Sequence, residues 1–306
     1  MPDIHYWLPV SDGVQIFVKG WTPLSQPKAI VQIAHGMVEH IDRYDGFARY
    51  LTDHQIAVVG NDHRGHGKTG EKTSSLGVLA DADGFEKVVE DLLVVTKDWQ
   101  TNYPGTPIFL LGHSFGSFLA RRFIQKYSDR IDGVILIGTG QESNAVLSMS
   151  KLLANFLQRN GKASPSYLFN RLIFGQYKKT VRDAVTDFDW LTRDQTEVTK
   201  YLDDQHTGFI PSTSFFHDMF DGMINVQKKR WNEQIRKDLP ILLLSGERDP
   251  VTKFGKGQIQ VATHYHSAGI DHVQHKVYSG ARHELLNETN KREVYQDIVK
   301  WITEQI

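Results

Sequence analysis

The stretch Ile108-Phe-Leu-Leu-Gly-His-Ser-Phe-Gly-Ser-Phe-Leu-Ala120 decides how this chain is read. Its four leading apolar residues, Ile108 to Leu111, suit a strand buried on both faces. Phe118, Leu119, Arg122 and Phe123 then recur at helical spacing, so the intervening Gly112-His-Ser-Phe-Gly116 lies between a strand and a helix. A G-x-S-x-G pentapeptide in that setting has the form of a nucleophile elbow, with the Ser114 hydroxyl pushed out on a strained turn. The helix start behind it offers N–H groups and a positive dipole end to a developing oxyanion. Five residues with two wildcards also occur by chance as a glycine-rich turn. A serine is moreover a poor nucleophile unless a base, an acid and an oxyanion hole stand nearby.

Outward from the elbow, short apolar runs alternate with helical patterns. Strands are expected at 4–10, 14–21, 30–34, 56–60, 133–138, 241–246 and 275–278. Helices are expected at about 42–54, 84–103 and near the C-terminus, where Val294, Ile298, Trp301 and Ile302 share a face. This alternation predicts an α/β fold: a mainly parallel sheet flanked by helices, with the hairpin-linked first two strands as an antiparallel edge. About a hundred residues between Gly138 and Ile241 contain no convincing strand but many aromatics. Such a stretch must be structured. It divides the chain into a core, 1–141 and 213–306, and an inserted helical cap, 142–212, with about 213–237 returning as a helix on the sheet.

Composition narrows the class. A chain of 306 residues, 40% hydrophobic and 23% charged, is ordinary for a globular protein. The formal charge of −1 gives no electrostatic case for nucleic acid or an anionic membrane. No run approaches the ~18 apolar residues of a membrane span, and MPDIHYWLPV has neither region of a signal peptide. The absence of cysteine fits a reducing compartment, so a cytoplasmic protein is the expectation.

In open α/β sheets ligands sit beyond the carboxyl ends of strands. The strand 241–246 ends in Glu247-Arg-Asp-Pro250, where Asp249 is the favoured triad acid and Glu247 its competitor. Beyond the last strand, His283 stands in Ser279-Gly-Ala-Arg-His-Glu284, placed to act as general base. The second oxyanion donor beside Phe115 N–H is expected after the third strand, which makes Met37 N–H the candidate. His63 and His66 flank Arg64-Gly65 with no third ligand in place, so no metal and no cofactor is expected. His264, His266, His272 and His275 read as solvated surface.

Together these blocks resemble a known family. His35-Gly-x-x-Glu39-His40-x-x-Arg43-Tyr44, Asp62-His-Arg-Gly-His-Gly67, Gly112-His-Ser-x-Gly116, Asp249 and Gly280-x-x-His283 look like the α/β-hydrolase branch of monoacylglycerol lipases and bacterial lysophospholipases. The resemblance implies a triad of Ser114, Asp249 and His283, with Met37 and Phe115 as oxyanion donors. It also implies that Glu39 and Arg43 lie at the polar end of the acyl pocket or brace the oxyanion loop. Phe115 departs from the methionine common after the nucleophile, and the cap matches nothing residue by residue. The expected activity is hydrolysis of carboxylic esters of monoacylglycerols or lysophospholipids through an acyl-enzyme, with a small molecule or single-chain lipid as the partner. Oligomeric state is left open. Alternatives are an aminopeptidase or small-ester hydrolase of the same fold, or a non-catalytic ligand-binding relative. Iminopeptidases usually carry Gly-Gly-Ser at the elbow and His-Gly-Gly-Pro at the oxyanion loop, and this chain has neither.

Overall fold

A computed structural model describes residues 3–306. Eight strands form one sheet: β1 (Asp3–Pro9), β2 (Gln15–Trp21), β3 (Ala29–Ala34), β4 (Ile56–Asn61), β5 (Ile108–His113), β6 (Gly133–Ile137), β7 (Ile241–Gly246) and β8 (Val273–Tyr278). Their order is β1-β2-β4-β3-β5-β6-β7-β8. β1 pairs antiparallel with β2, and β2 antiparallel with β4; every other pairing is parallel. The elbow strand is thus central, between β3 and β6.

The helices are α1 (Asp45–Asp53), α2 (Gly67–Lys72), α3 (Gly84–Asn102), α4 (Phe115–Tyr127), α5 (Asn144–Leu157), α6 (Tyr167–Phe174), α7 (Gln195–Asp203), α8 (Thr213–Val226), α9 (Lys229–Asn232), α10 (Lys256–Ser267) and α11 (Lys291–Thr303). Alternation along the strands builds two cores from one sheet. Ile108 and Leu110 join Val88, Leu92, Leu119 and Val261 from α3, α4 and α10. Phe109 and Leu111 point the other way, to Phe47, Leu51, Ile298 and Trp301 from α1 and α11. A strand covered on both faces has no need of polar residues, which is why its sequence is a continuous apolar run.

Three elements differ from expectation. The helix expected over 42–54 starts as a 3-10 turn, Ile41–Tyr44, before α1. The last strand begins two residues earlier than 275, because its largely exposed residues hide an edge strand from an apolar-run reading. The helix expected over 213–237 ends at Val226 and is followed by the short α9. Started by Ser212, whose Oγ accepts from Phe215 N–H at 3.1 Å, α8 packs on α3, α4 and α5. The stretch 142–212 holds α5, α6 and α7 with their connecting loops, and it runs from beyond the carboxyl end of β6 to the start of α8.

Candidate active site

Ser114 occupies the turn between β5 and α4 with φ 52° and ψ −119°. A non-glycine residue in that region is strained by about 1–3 kcal/mol and persists only where its surroundings hold it. Here Ser114 N–H donates to Ile137 C=O at 2.9 Å, and Ser114 C=O accepts from both Ser117 N–H and Ser117 Oγ. Gly116 lets α4 approach β3 closely, since a Cβ there would run into the Ala34 carbonyl. The two glycines of the motif are therefore packing requirements of the elbow.

At the end of β7 the two carboxylates separate. Asp249 is fully buried, with Oδ2 3.0 Å from His283 Nδ1 and Oδ1 accepting from Val251 N–H at 2.8 Å. Glu247 instead accepts from Gly280 N–H at 2.7 Å and Ser279 Oγ at 3.1 Å, tying down the loop that carries the histidine. The His283 ring lies 4.9 Å from His113 and 5.1 Å from Trp190 between centroids. Its Nε2 is buried and has no hydrogen-bond partner among the described residues. Ser114 and His283 line the same cavity, about 300 Å³ in volume, but no Ser114–His283 hydrogen bond is formed.

The loop after β3 is fixed from three sides. Gly36 N–H donates to Glu39 Oε1 at 2.6 Å, and a Cβ on Gly36 would meet that same oxygen. His63 N–H donates to His35 Nε2 at 2.9 Å, so His35 carries its proton on Nδ1 and donates to Gly36 C=O at 2.7 Å. Because the peptide is planar and trans, a carbonyl held toward His35 turns Met37 N–H the opposite way. Neither Met37 N–H nor Phe115 N–H has a hydrogen-bond partner among the described residues. Met37, Ser114 and Phe115 also line a second, smaller cavity of about 100 Å³.

His35, His63 and His66 form a buried cluster under this loop, the first two rings stacked 3.9 Å apart and His66 edge-on to both. The polar run 61–67 suggests solvent, yet Asp62 is also buried, its carboxylate accepting from Ile41 N–H and Lys68 N–H. Burial, then the neighbouring imidazoles, hold His35 well below the usual histidine range. Burial likewise takes His63 down to about 3 and His66 to about 4. Above about pH 6.5 all three are neutral whether folded or unfolded. As pH falls, the unfolded chain takes up protons that the folded protein refuses until about pH 4 at His66 and about 3 at His63. Stability is therefore expected to decline through that window by up to about 1.4 kcal/mol per pH unit for each such histidine. His113 opposes this trend: burial lowers its pKa, but the hydrogen bond to Glu39 and the charges of Glu39 and Glu284 together outweigh burial and raise it, so its contribution is full at low pH. Urea midpoints measured at about pH 7.5 and about pH 5 check the balance; a level midpoint would contradict it.

A buried charge cluster joins three loops of the site. Arg43 Nη1 donates to Glu39 Oε2 at 2.6 Å, and both Nη atoms grip Glu284 at 2.8 and 2.7 Å. Glu39 Oε1 further accepts from Tyr44 OH at 2.9 Å and lies 3.1 Å from His113 Nδ1. Burial works against both carboxylates, but Arg43, joined at Glu39 by His113, outweighs it and holds Glu39 and Glu284 below the usual carboxylate range. Glu284 and His113, neighbours of His283 and Ser114 in the sequence, were not singled out from it. The only available signal was a carboxylate adjoining His283.

The segment 188–208 is hydrogen-bonded to these loops. Glu284 N–H donates to Leu191 C=O at 2.7 Å, and Arg282 Nη1 to Thr192 C=O at 2.9 Å. Val38 C=O accepts from Gly208 N–H and from Tyr201 OH. Phe174, Phe188, Trp190, Leu191 and Phe209 give the larger cavity apolar walls. Phe118, Ile173, Met219 and Met223 do the same for the smaller one. The Phe115 ring lies in an aromatic cluster with Phe85, His66 and Phe215.

Residues 25–290 match the family model described as serine aminopeptidase, S33 (Hydrolase_4). The chain is 27% identical to a monoglyceride lipase homolog of Monkeypox virus, with 96% of each chain covered. It is 29% identical to the monoglyceride lipase of Homo sapiens, over 96% of this chain and 89% of that one. A solved thermostable carboxyl esterase from Bacillus coagulans superposes with a TM-score of 0.91 at 28% identity, covering 99% of both chains.

Proposed function

The chain belongs to the Hydrolase_4 family of α/β-hydrolases, and from that membership we propose a serine carboxylic-ester hydrolase acting on single-chain lipid esters, monoacylglycerols first and lysophospholipids second. The observation that carries this reading is the Asp249–His283 pair, whose buried Nε2 is free and whose imidazole lines the same apolar-walled cavity as Ser114. Named monoglyceride lipases that match nearly the full chain favour an ester over the aminoacyl amide of the family description.

In the proposed reaction, His283 Nε2 takes the Ser114 proton as Oγ attacks the ester carbonyl. Asp249 Oδ2 accepts from Nδ1–H, fixing the tautomer and stabilising the imidazolium. The carbonyl oxygen becomes an oxyanion received by Met37 and Phe115 N–H. His283 then protonates the departing alcohol, which leaves Ser114 acylated. Water deprotonated by the same nitrogen attacks the acyl-enzyme and releases the acid. Residues 142–212 act as the cap that roofs the cavity. Glu39 and Arg43 are positioning residues, holding the oxyanion loop against the histidine loop. Among the described residues, no helix is long and apolar enough to cross a membrane.

Labelling of Ser114 by a fluorophosphonate, together with a turnover screen over monoacylglycerols, lysophospholipids, short esters and aminoacyl amides, tests the reading. A quantitative expectation follows from the apolar walls. Each acyl methylene entering them gains about 0.8 kcal/mol, roughly fourfold in kcat/KM. Activity measured below the micelle threshold should climb from acetyl esters over several methylenes and then level off. Two-chain lipids should be poor substrates. A flat or falling series would leave only a small-ester hydrolase.

A further inference from the structure

Three aromatic rings follow one another along the wall of the larger cavity. His113 and His283 lie 4.9 Å apart between centroids, and His283 and Trp190 5.1 Å. Each ring carries a buried nitrogen with no hydrogen-bond partner among the described residues: His113 Nε2, His283 Nε2 and Trp190 Nε1. The proposed reaction uses the middle one. Trp190 Nε1–H is left over, and an indole N–H is a donor that neither titrates nor accepts.

Apolar packing does not account for it. Trp190 is 5% exposed, with its indole 6.1 Å from the Phe174 ring and 4.8 Å from that of Tyr177. A phenylalanine would fill such a cluster without burying a donor that finds no acceptor, and that burial costs stability. Buried tryptophans usually find a partner for this group. Here the indole lines both the larger and the smaller cavity, and Ser114 lines both as well. The backbone keeps the indole in step with the base: Leu191 C=O accepts from Glu284 N–H at 2.7 Å, joining the residues that follow Trp190 and His283.

Position decides which part of a substrate this donor meets. In the proposed reaction the carbonyl oxygen turns to Met37 and Phe115 N–H, while the leaving oxygen turns to His283 Nε2 for its proton. A donor beside His283 therefore faces the alcohol half of the ester. In a monoacylglycerol or a lysophospholipid, the carbon next to the ester-bearing carbon carries a further oxygen. A plain alkyl ester has none there.

We infer that Trp190 Nε1–H donates a hydrogen bond to that further oxygen and so selects glycerol-type esters over plain alkyl esters. This rests on the reading of a serine ester hydrolase and deepens it. Because the indole only donates, an ether oxygen should serve as well as a hydroxyl. The matched probes are 2-methoxyethyl octanoate and butyl octanoate, whose alcohol halves differ by an oxygen in place of a methylene. kcat/KM of the full chain for each, measured below the micelle threshold, is divided by the rate of alkaline hydrolysis of the same ester, which removes intrinsic reactivity. The corrected ratio should favour the methoxyethyl ester about tenfold or more, since the butyl ester leaves the buried N–H unpaired. Trp190→Phe should still be labelled at Ser114 by a fluorophosphonate, and its corrected ratio should fall to about one. A corrected ratio near one in the unmutated protein would overturn the inference, and that measurement decides even where the variant fails to fold. So would a preference that survives in Trp190→Phe, or a folded Trp190→Phe protein that no longer labels, since the indole would then support the triad and not read the alcohol. Turnover of neither ester by the unmutated protein would overturn the hydrolase reading and this inference with it, whereas turnover of both without preference overturns this inference alone.

Discussion

Replacing Ser114 with alanine is expected to lower ester turnover on the order of 10⁴-fold or more while leaving the fold intact. The side chain faces the cavity, and the strained turn is held by backbone bonds of Ser114 and by Ser117, none of which needs the Ser114 hydroxyl. His283→Ala should lose a similar factor, and the double variant little more, because nucleophile and base act as one unit. Asp249→Asn should be severe but less complete: an amide fills the space yet cannot stabilise the imidazolium. Steady-state kcat with a soluble ester, alongside the thermal midpoint of each variant, separates chemistry from folding. A Ser114→Ala protein retaining even a tenth of the wild-type rate would refute the mechanism.

The second large effect is on stability. Arg43 is the only cation hydrogen-bonded to Glu39 and Glu284 among the described residues, and all three are largely buried. Arg43→Met removes it and leaves two buried carboxylates a few ångströms apart, Glu284 with no cation and Glu39 with His113 alone. Breaking a buried pair in this way costs about 3–5 kcal/mol, measurable as a fall in the urea midpoint. Arg43→Lys should recover little, since one ammonium cannot reproduce the two-pronged grip on Glu284. Arg43→Met combined with Glu284→Gln should recover part of the loss, because the charge that was stranded is gone. Equal stability of the single and double variants would place the cost in packing and not in charge. As a positioning group, Arg43 should act on kcat more than on KM in whatever folded protein remains.

How much of this was legible in the sequence follows from the range of the interactions. Strand β5 and the elbow were readable because their signals are local: a two-faced apolar run, two glycines and a helical period within sixteen residues. Glu284 was not, because its meaning lies in Arg43, 241 positions away. The stacked histidines were also opaque. Asn61 to Gly67 looks like solvated loop, and only the tertiary fold tucks it beneath the loop after β3, where Asp62 and His63 find buried partners. Edge strand β8 was read short because an exposed strand lacks the apolar signature of the central ones. Cap aromatics were visible as residue types, but which of them face the cavity depends on how the helices lie over the sheet.

The hydrogen bonds between 188–208 and the catalytic loops bear on how the molecule can be altered by inheritance or by engineering. Leu191 C=O accepts from the residue after the base, and Val38 C=O, in the oxyanion loop, accepts from Gly208 N–H. An insertion or an exchanged segment there shifts the register of catalysis itself. The α5–α6 half meets α8 through side chains such as Phe169, which another sequence of similar volume could replace, and through backbone hydrogen bonds of 162–166 with 211–214, which do not depend on side-chain identity. A chimera built by trading the stretch after β6 for a relative's is therefore expected to keep its chemistry only if the seam falls before about Phe188, with its substrate range rewritten on the α6 side alone.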